Sequence, residues 1–331
     1  FQGGLGLPDR DYYLKTDARE TEIRQKYVAH ITNMMQLSGE TSEEAGKHAQ
    51  TIMALETKLA QASMDRVTMR DPYKLYNKMS IAQLSEKAKG IDWKKYFTQI
   101  RISNEDTVLV AQPEFFKSLA TLVQTAPMED WKIYLKWHLI SDMAAYLNKA
   151  IDQESFSFYG SELRGQKEQK PRWKRVLSVV DGAVGEQLGK MYTEKYFTPE
   201  AKKRMEELVN NLQVAFEARI QQLDWMSDST KTKALEKLHA FIKKIGYPDK
   251  WRDYSGLTIV RDSYVKNVLA SNVFDYNYMI SKLGKPVDKT EWGMTPPTVN
   301  AYYNPAFNEI VFPAGILQYP FFDLSVDDAA I

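Results

Sequence analysis

No cysteine occurs among the 331 residues. That absence excludes disulfides, thiolate zinc sites, iron–sulfur clusters and cysteine nucleophiles. Only four histidines are present, His30, His48, His138 and His239, which leaves few side chains for imidazole chemistry or metal ligation. An excess of one charge is also missing. With 44 basic and 43 acidic residues the formal net charge is +1, too little for a general field toward nucleic acid or an anionic membrane. No apolar run is long enough to span a bilayer, and the first residues do not read as a signal peptide. There is no Asn-x-Ser/Thr sequon, Walker A loop, strand-borne G-x-G-x-x-G, G-x-S-x-G elbow or H-E-x-x-H. The opening Phe1-Gln2-Gly3-Gly4 lacks an initiator Met. It reads either as a tag-cleavage remnant or as sequence cut from a longer protein, so the natural N-terminus is expected elsewhere.

What is abundant is bulk. Thirteen Met, 19 Tyr, 14 Phe and seven Trp predict thick, irregular packing between helices. The length suits about two domains with a large buried core. Helical periodicity runs over residues 17–37 through Ile23, Tyr27, Ile31, Met34 and Leu37, and Gly39 stops it. Thr41 with Glu44 forms a capping box for a helix carrying Ala45, Ala49, Ile52, Leu55, Leu59 and Ala62 on one face. Ser80 with Gln83 caps a shorter helix, and Thr107 to Val110 reads as a short strand. Aromatic-rich helices follow over about 114–124 and 130–150. Thr198 and Pro199 open a long helix, and Ser227 opens another that is expected to run to Gly246-Tyr247-Pro248. A last amphipathic helix is expected over 263–283.

After Gly284 the texture changes. Pro286, Gly293, Pro296 and Pro297 interrupt the helical pattern. Two strand-like runs follow, Thr298 to Tyr303 and Glu309 to Phe312, and the sheet is expected to begin here. The domain boundary is placed near residue 290.

Several local features carry weaker chemistry. Gly182, Gly185 and Gly189 read as close packing rather than as a phosphate loop. His48 lies four residues after Glu44, a pair that makes no metal site without two further ligands. His138 sits among Tyr134, Trp137 and Tyr146, which suggests aromatic packing. The basic stretch Arg164 to Arg175 reads as a solvated or internally paired segment. The sharpest feature is a strand that begins Asn300-Ala301. An edge strand offers free backbone groups to which an extended peptide can add, and an Asn side chain can both donate to and accept from a peptide unit. The same residues read equally well as a plain hairpin.

Four blocks carry a resemblance. They are Gly4-Leu5-Gly6-Leu7-Pro8-Asp9-Arg10-Asp11-Tyr12-Tyr13-Leu14, Gln169 to Arg175, Lys244 to Trp251, and the stretch from Asn300 to Asp323 that includes Asn308-Glu309-Ile310-Val311-Phe312-Pro313-Ala314-Gly315-Ile316-Leu317-Gln318. Together they resemble the neprilysin and endothelin-converting-enzyme family of zinc metallopeptidases. The resemblance implies a mainly α chain, with a large helical domain over 1–290 roofing the substrate chamber. Residues 291–331 would then start a thermolysin-like α+β catalytic domain. It implies hydrolysis of peptides on the N-terminal side of bulky apolar residues. Asn300 and Ala301 match the pair that holds substrate backbone, and Ile316 and Phe321 match residues lining the apolar pocket. It implies Zn2+ in the intact enzyme, held by an H-E-x-x-H segment expected beyond residue 331. No metal and no catalytic residue are expected in this chain, which alone is expected to be inactive. Expected partners are peptides and that missing catalytic segment, with no nucleic acid and no transmembrane segment. Tyr319 stands where many relatives have Pro, and the lack of cysteine points to a bacterial member. The favoured compartment is the periplasm, cell envelope or medium, with the cytoplasm second. The alternative is a truncated relative acting as a non-catalytic peptide- or partner-binding helical module.

Overall fold

The computed structural model describes residues 3–102 and 105–327, which divide into two compact units meeting in sequence at Gln169 and Lys170. The first unit holds α1 (Asp11–Leu14), α2 (Ala18–Leu37), α3 (Ser42–Ala62), α4 (Pro72–Leu75), β1 (Lys78–Ser80), α5 (Ile81–Lys87), α6 (Trp93–Gln99), β2 (Thr107–Leu109), α7 (Pro113–Thr125), α8 (Met128–Met143) and α9 (Lys149–Ser155). A π-helical turn, Phe156–Glu162, extends α9. The second unit holds α10 (Arg172–Tyr196), α11 (Pro199–Gln222), α12 (Asp228–His239), β3 (Ile242–Gly246), α13 (Tyr264–Ile280), β4 (Tyr302–Asn304) and β5 (Glu309–Pro313).

The caps expected from sequence form. The Thr41 hydroxyl accepts from the Glu44 amide and the Glu44 carboxylate accepts from the Thr41 amide; Ser80 and Gln83 do the same for α5. These reciprocal bonds satisfy amides that have no partner inside the helix. In the first unit α2 presents Tyr27, Ile31, Met34 and Met35, all fully buried, to Ala45, Ala49 and Ile52 of α3. Ala45 and Ala49 are one turn apart, so the small residues let the helices approach closely. Trp137 of α8 and Ile151 of α9 complete this core. A second cluster joins Leu55 and Leu59 of α3 to Phe115, Leu122 and Tyr134. The helical run expected over 130–150 is divided: α8 stops at Met143, a 3-10 turn covers Ala144–Tyr146, and Asn148 caps α9. An Asn side chain bonding the Ile151 amide starts a new helix where the old one would have continued.

The second unit departs further from the sequence reading. The helix opened by Ser227 ends at His239 and buries none of its residues. Phe241 onward was expected to continue it, but Ile242–Gly246 instead forms β3. The reason is tertiary. β3 pairs in parallel with β5, Ile242 opposite Glu309 through Gly246 opposite Pro313, and this partner lies more than sixty residues away. The sheet therefore begins before Gly284, with strand order β3-β5-β4 and β4 antiparallel to β5. The expected boundary near residue 290 falls inside this second unit. α11 covers one sheet face, placing Ala201 and Met205 against Ile245, Ala314, Leu317 and Phe322. Lys243 reaches Asn210 and Gln213 of the same helix.

The candidate peptide-binding edge

Side chains alternate across β5, whose Glu309, Val311 and Pro313 are buried while Ile310 and Phe312 are half-buried. Its parallel neighbour β3 and antiparallel neighbour β4 occupy its two sides, so β4 is an edge strand among the described residues. Beneath the sheet lies a buried charge pair. Lys244 is 8% exposed, Glu309 is 2% exposed, and Lys244 Nζ lies 2.6 Å from Glu309 Oε2. The same ammonium donates to the Glu291 carbonyl at 2.7 Å. The pair therefore ties β3, β5 and the loop around Glu291 together. Glu291 is itself held by Tyr278 of α13 and by Lys282 just beyond that helix. These hydrogen bonds keep its carboxyl below the ordinary range against the opposing effect of burial, while burial and the Glu291 carboxylate push the Tyr278 hydroxyl up to about 12.

Asn300 and Ala301 stand directly before β4. Asn300 is exposed, and its Oδ1 accepts from the Ala301 amide at 2.8 Å. Ala301 is half-buried. Tyr302 leads into the strand and its hydroxyl accepts from the Gly293 amide at 2.7 Å; burial raises that hydroxyl above its ordinary range. Tyr303, on the opposite side of the strand, stacks on Phe241 with ring centres 5.9 Å apart.

After β5 the chain turns at Ala314 and Gly315. The Ala314 amide donates to the Gly246 carbonyl, and the Gly315 amide to the Pro296 carbonyl. A Cβ on Gly315 would lie 2.4 Å from the Pro297 carbonyl oxygen, so only glycine allows this approach. These bonds hold the turn against the segment that leads into Asn300. Ile316 is half-buried against the cluster under α11, while the Phe321 ring is 62% exposed. All four sequence-derived site residues thus lie in the second unit, two before the edge strand and two on the turn after β5. The Lys244–Glu309 pair was not singled out in the sequence. Glu309 lies in a run that reads as a strand, whereas Lys244 lies in a stretch that reads as helix.

The histidines all have other work in the fold. His48 pairs with Glu40 at 2.8 Å rather than with Glu44. His30 pairs with Glu154 and stacks on Phe158, and His239 pairs with Glu217. His138 packs on Tyr134 and also lies 2.9 Å from Glu56. Among the described residues no three His, Asp, Glu or Cys are grouped so as to hold a metal ion. The side chains described here therefore do not group into a zinc site. Among them, too, no helix is long and apolar enough to cross a membrane.

Comparison with known proteins shows the family. The family model for the N-terminal region of peptidase family M13 matches residues 1–248, and a second model for the same family matches residues 300–330. The chain belongs to peptidase family M13. It is 32% identical to an endothelin-converting enzyme homolog of Locusta migratoria, over 98% of this chain and 47% of that protein. It is also 32% identical to human endothelin-converting enzyme 1, over 98% of this chain and 44% of that one. The chain thus spans about half the length of these relatives. Among solved structures it matches the open state of the Mycobacterium tuberculosis zinc metalloprotease Zmp1 with a TM-score of 0.90 and 43% identity, covering 99% of this chain and 51% of that one. PepO of Lactobacillus rhamnosis shares the fold, with a TM-score of 0.88 and 23% identity over 98% of this chain and 51% of that one.

Proposed function

We propose that this chain supplies the helical portion and the substrate edge strand of a zinc metalloendopeptidase. That enzyme cleaves peptides on the N-terminal side of bulky apolar residues. The observation that carries the reading is β4, an edge strand introduced by an exposed Asn300 and a half-buried Ala301. A peptide laid along it gains backbone hydrogen bonds in register, and Asn300 can turn its amide from the Ala301 N–H to the incoming peptide. Ile316 and Phe321 offer apolar area to the side chain that follows the scissile bond. Zinc is the family's cofactor. Its ligands are proposed to lie outside these 331 residues, a reading supported by relatives about twice as long. In this reading residues 1–290 roof the chamber and residues 291–331 begin the catalytic domain. The lack of cysteine and the identity to a mycobacterial protein support a bacterial source, and we favour the periplasm, cell envelope or medium over the cytoplasm.

The test is Asn300→Ala in the intact enzyme. Loss of a backbone clamp in a desolvated site is expected to reduce transition-state binding by about 1–3 kcal/mol, read as kcat/KM. An unchanged kcat/KM would remove Asn300 from the site.

A further inference from the structure

Residues 314–326 follow β5 without forming a helix or strand, so their path depends on a few identifiable contacts. Gln318 makes several of them. Its backbone carbonyl accepts from the amides of Phe321 at 2.8 Å and Phe322 at 3.1 Å, closing the loop that carries Phe321. Its side-chain amide donates to the Tyr196 carbonyl at 3.1 Å and to the Ala314 carbonyl at 3.4 Å. Tyr196 is the last residue of α10, and a carbonyl at that position has no partner inside its helix. The side chain thus joins a helix end to the turn before Ile316, and the backbone of the same residue closes the loop bearing Phe321.

Arg204 of α11 holds the other end. Its Nη1 donates to the Leu324 carbonyl at 2.8 Å and its Nη2 to the Val326 carbonyl at 2.7 Å. A guanidinium fork spans two acceptors in a fixed geometry that a lysine cannot reproduce. Leu317, just before Gln318, and Phe322, between the two anchors, are buried in the same cluster as Met205. Phe321 has little packing of its own. The direction of its ring is therefore set by the backbone, and the backbone is set by Gln318 and Arg204.

We propose that Gln318 and Arg204 are positioning residues that fix the width of the apolar pocket formed by Ile316 and Phe321, and so determine its preference for large side chains. This rests on the pocket assignment made under the proposed function. The readout is the ratio of kcat/KM for two peptides that differ only in Phe or Ala after the scissile bond. A variant that merely loses stability lowers both rates together and leaves the ratio unmoved.

In the intact enzyme the Phe-to-Ala ratio is expected to fall about tenfold in Gln318→Leu and about threefold in Arg204→Met, within the range that small changes in a hydrophobic pocket produce. Arg204→Lys is expected to fall between wild type and Arg204→Met. Gln318→Asn keeps the amide but is too short to reach Tyr196, and it serves if Gln318→Leu does not fold. A wild-type preference retained unchanged in the folded variants would overturn the positioning role alone. A wild-type enzyme without any such preference would overturn the pocket assignment and this inference with it.

Discussion

The two units bury charge in different ways. In the first, Glu56 of α3 is completely buried within a helical core. Its carboxyl accepts from Tyr13 at 2.6 Å and from Tyr27 at 2.9 Å, and lies 2.9 Å from His138 Nε2. The Tyr13 hydroxyl in turn accepts from the Leu7 amide, and the Trp137 indole donates to Tyr27. This network gathers the opening Gly-Leu-Gly-Leu segment onto α1, α2, α3 and α8. A Cβ on Gly6 would lie 1.8 Å from the Tyr27 hydroxyl, so the segment seats against that oxygen only as glycine. In the second unit the buried charge among the described residues is a single Lys244–Glu309 pair under a small sheet. The first arrangement shares one acid on α3 among groups from α1, α2 and α8. The second joins one acid to one base across neighbouring strands. A shared acceptor fails at many places when it is removed, whereas a pair can be replaced as a pair.

The largest test of that contrast is Glu56→Ala. It leaves two buried hydroxyls without their acceptor and opens space in the core, for an expected loss of about 3–5 kcal/mol. Hydrogen exchange followed separately over 3–169 and 170–327 should show the loss in the first unit. Equal loss in both would break the comparison. Next comes Lys244→Met, which strands a buried carboxylate at an expected cost of about 3 kcal/mol. Adding Glu309→Leu should recover most of that, as judged by denaturant midpoints. A double variant no more stable than the single one would show that the pair is not separable from its surroundings.

Alkaline titration sharpens the contrast more gently. Burial is the main cause that lifts Tyr13, Tyr27, Tyr134 and Tyr159 above the ordinary tyrosine value of 10.0, Tyr159 to about 12. Glu56 reinforces the shift in each case. Because the folded values exceed the unfolded one, this stabilisation is fully present below pH 10 and is lost as pH rises from there through the folded values. Each such tyrosine contributes a slope of about 1.4 kcal/mol per pH unit. In the second unit Tyr192, Tyr254 and Tyr302 are half-buried and shifted upward by burial, and Tyr278 is pushed up to about 12 by burial and Glu291. Tyrosinate absorbance followed with unfolding should show the first unit losing stability over the wider alkaline range. The smallest effect is expected from Thr41→Ala and Thr198→Ala, one cap in each unit, at about 1 kcal/mol each by thermal melting.

Much of the first unit was legible because its signals are local. The α2 and α3 stripes, the Thr41–Glu44 box and the stop at Gly39 each lie within a few turns of helix, and all of them formed. His138 was read only for its aromatic neighbours, since Glu56 lies 82 positions away on another helix. In the second unit the Thr198 and Ser227 caps were legible, but β3 was not. Nothing near Phe241-Ile242-Lys243-Lys244-Ile245 marks a strand that is completed by a partner beginning at Glu309. Asn300, Ala301, Ile316 and Phe321 were proposed from ordered family blocks rather than from periodicity. Gln318 and Arg204 were not, because side-chain bonds to distant backbone carbonyls leave no pattern in the chain.

By itself the amino-acid sequence determined the helical character, the caps, the absence of thiol chemistry and the family, all of which depend on neighbouring residues or contiguous motifs. Only the tertiary structure decided where the sheet begins, which charges are buried together and what holds the turn after β5. Those depend on groups that are far apart in the chain, whose interactions gain their strength from removal from water.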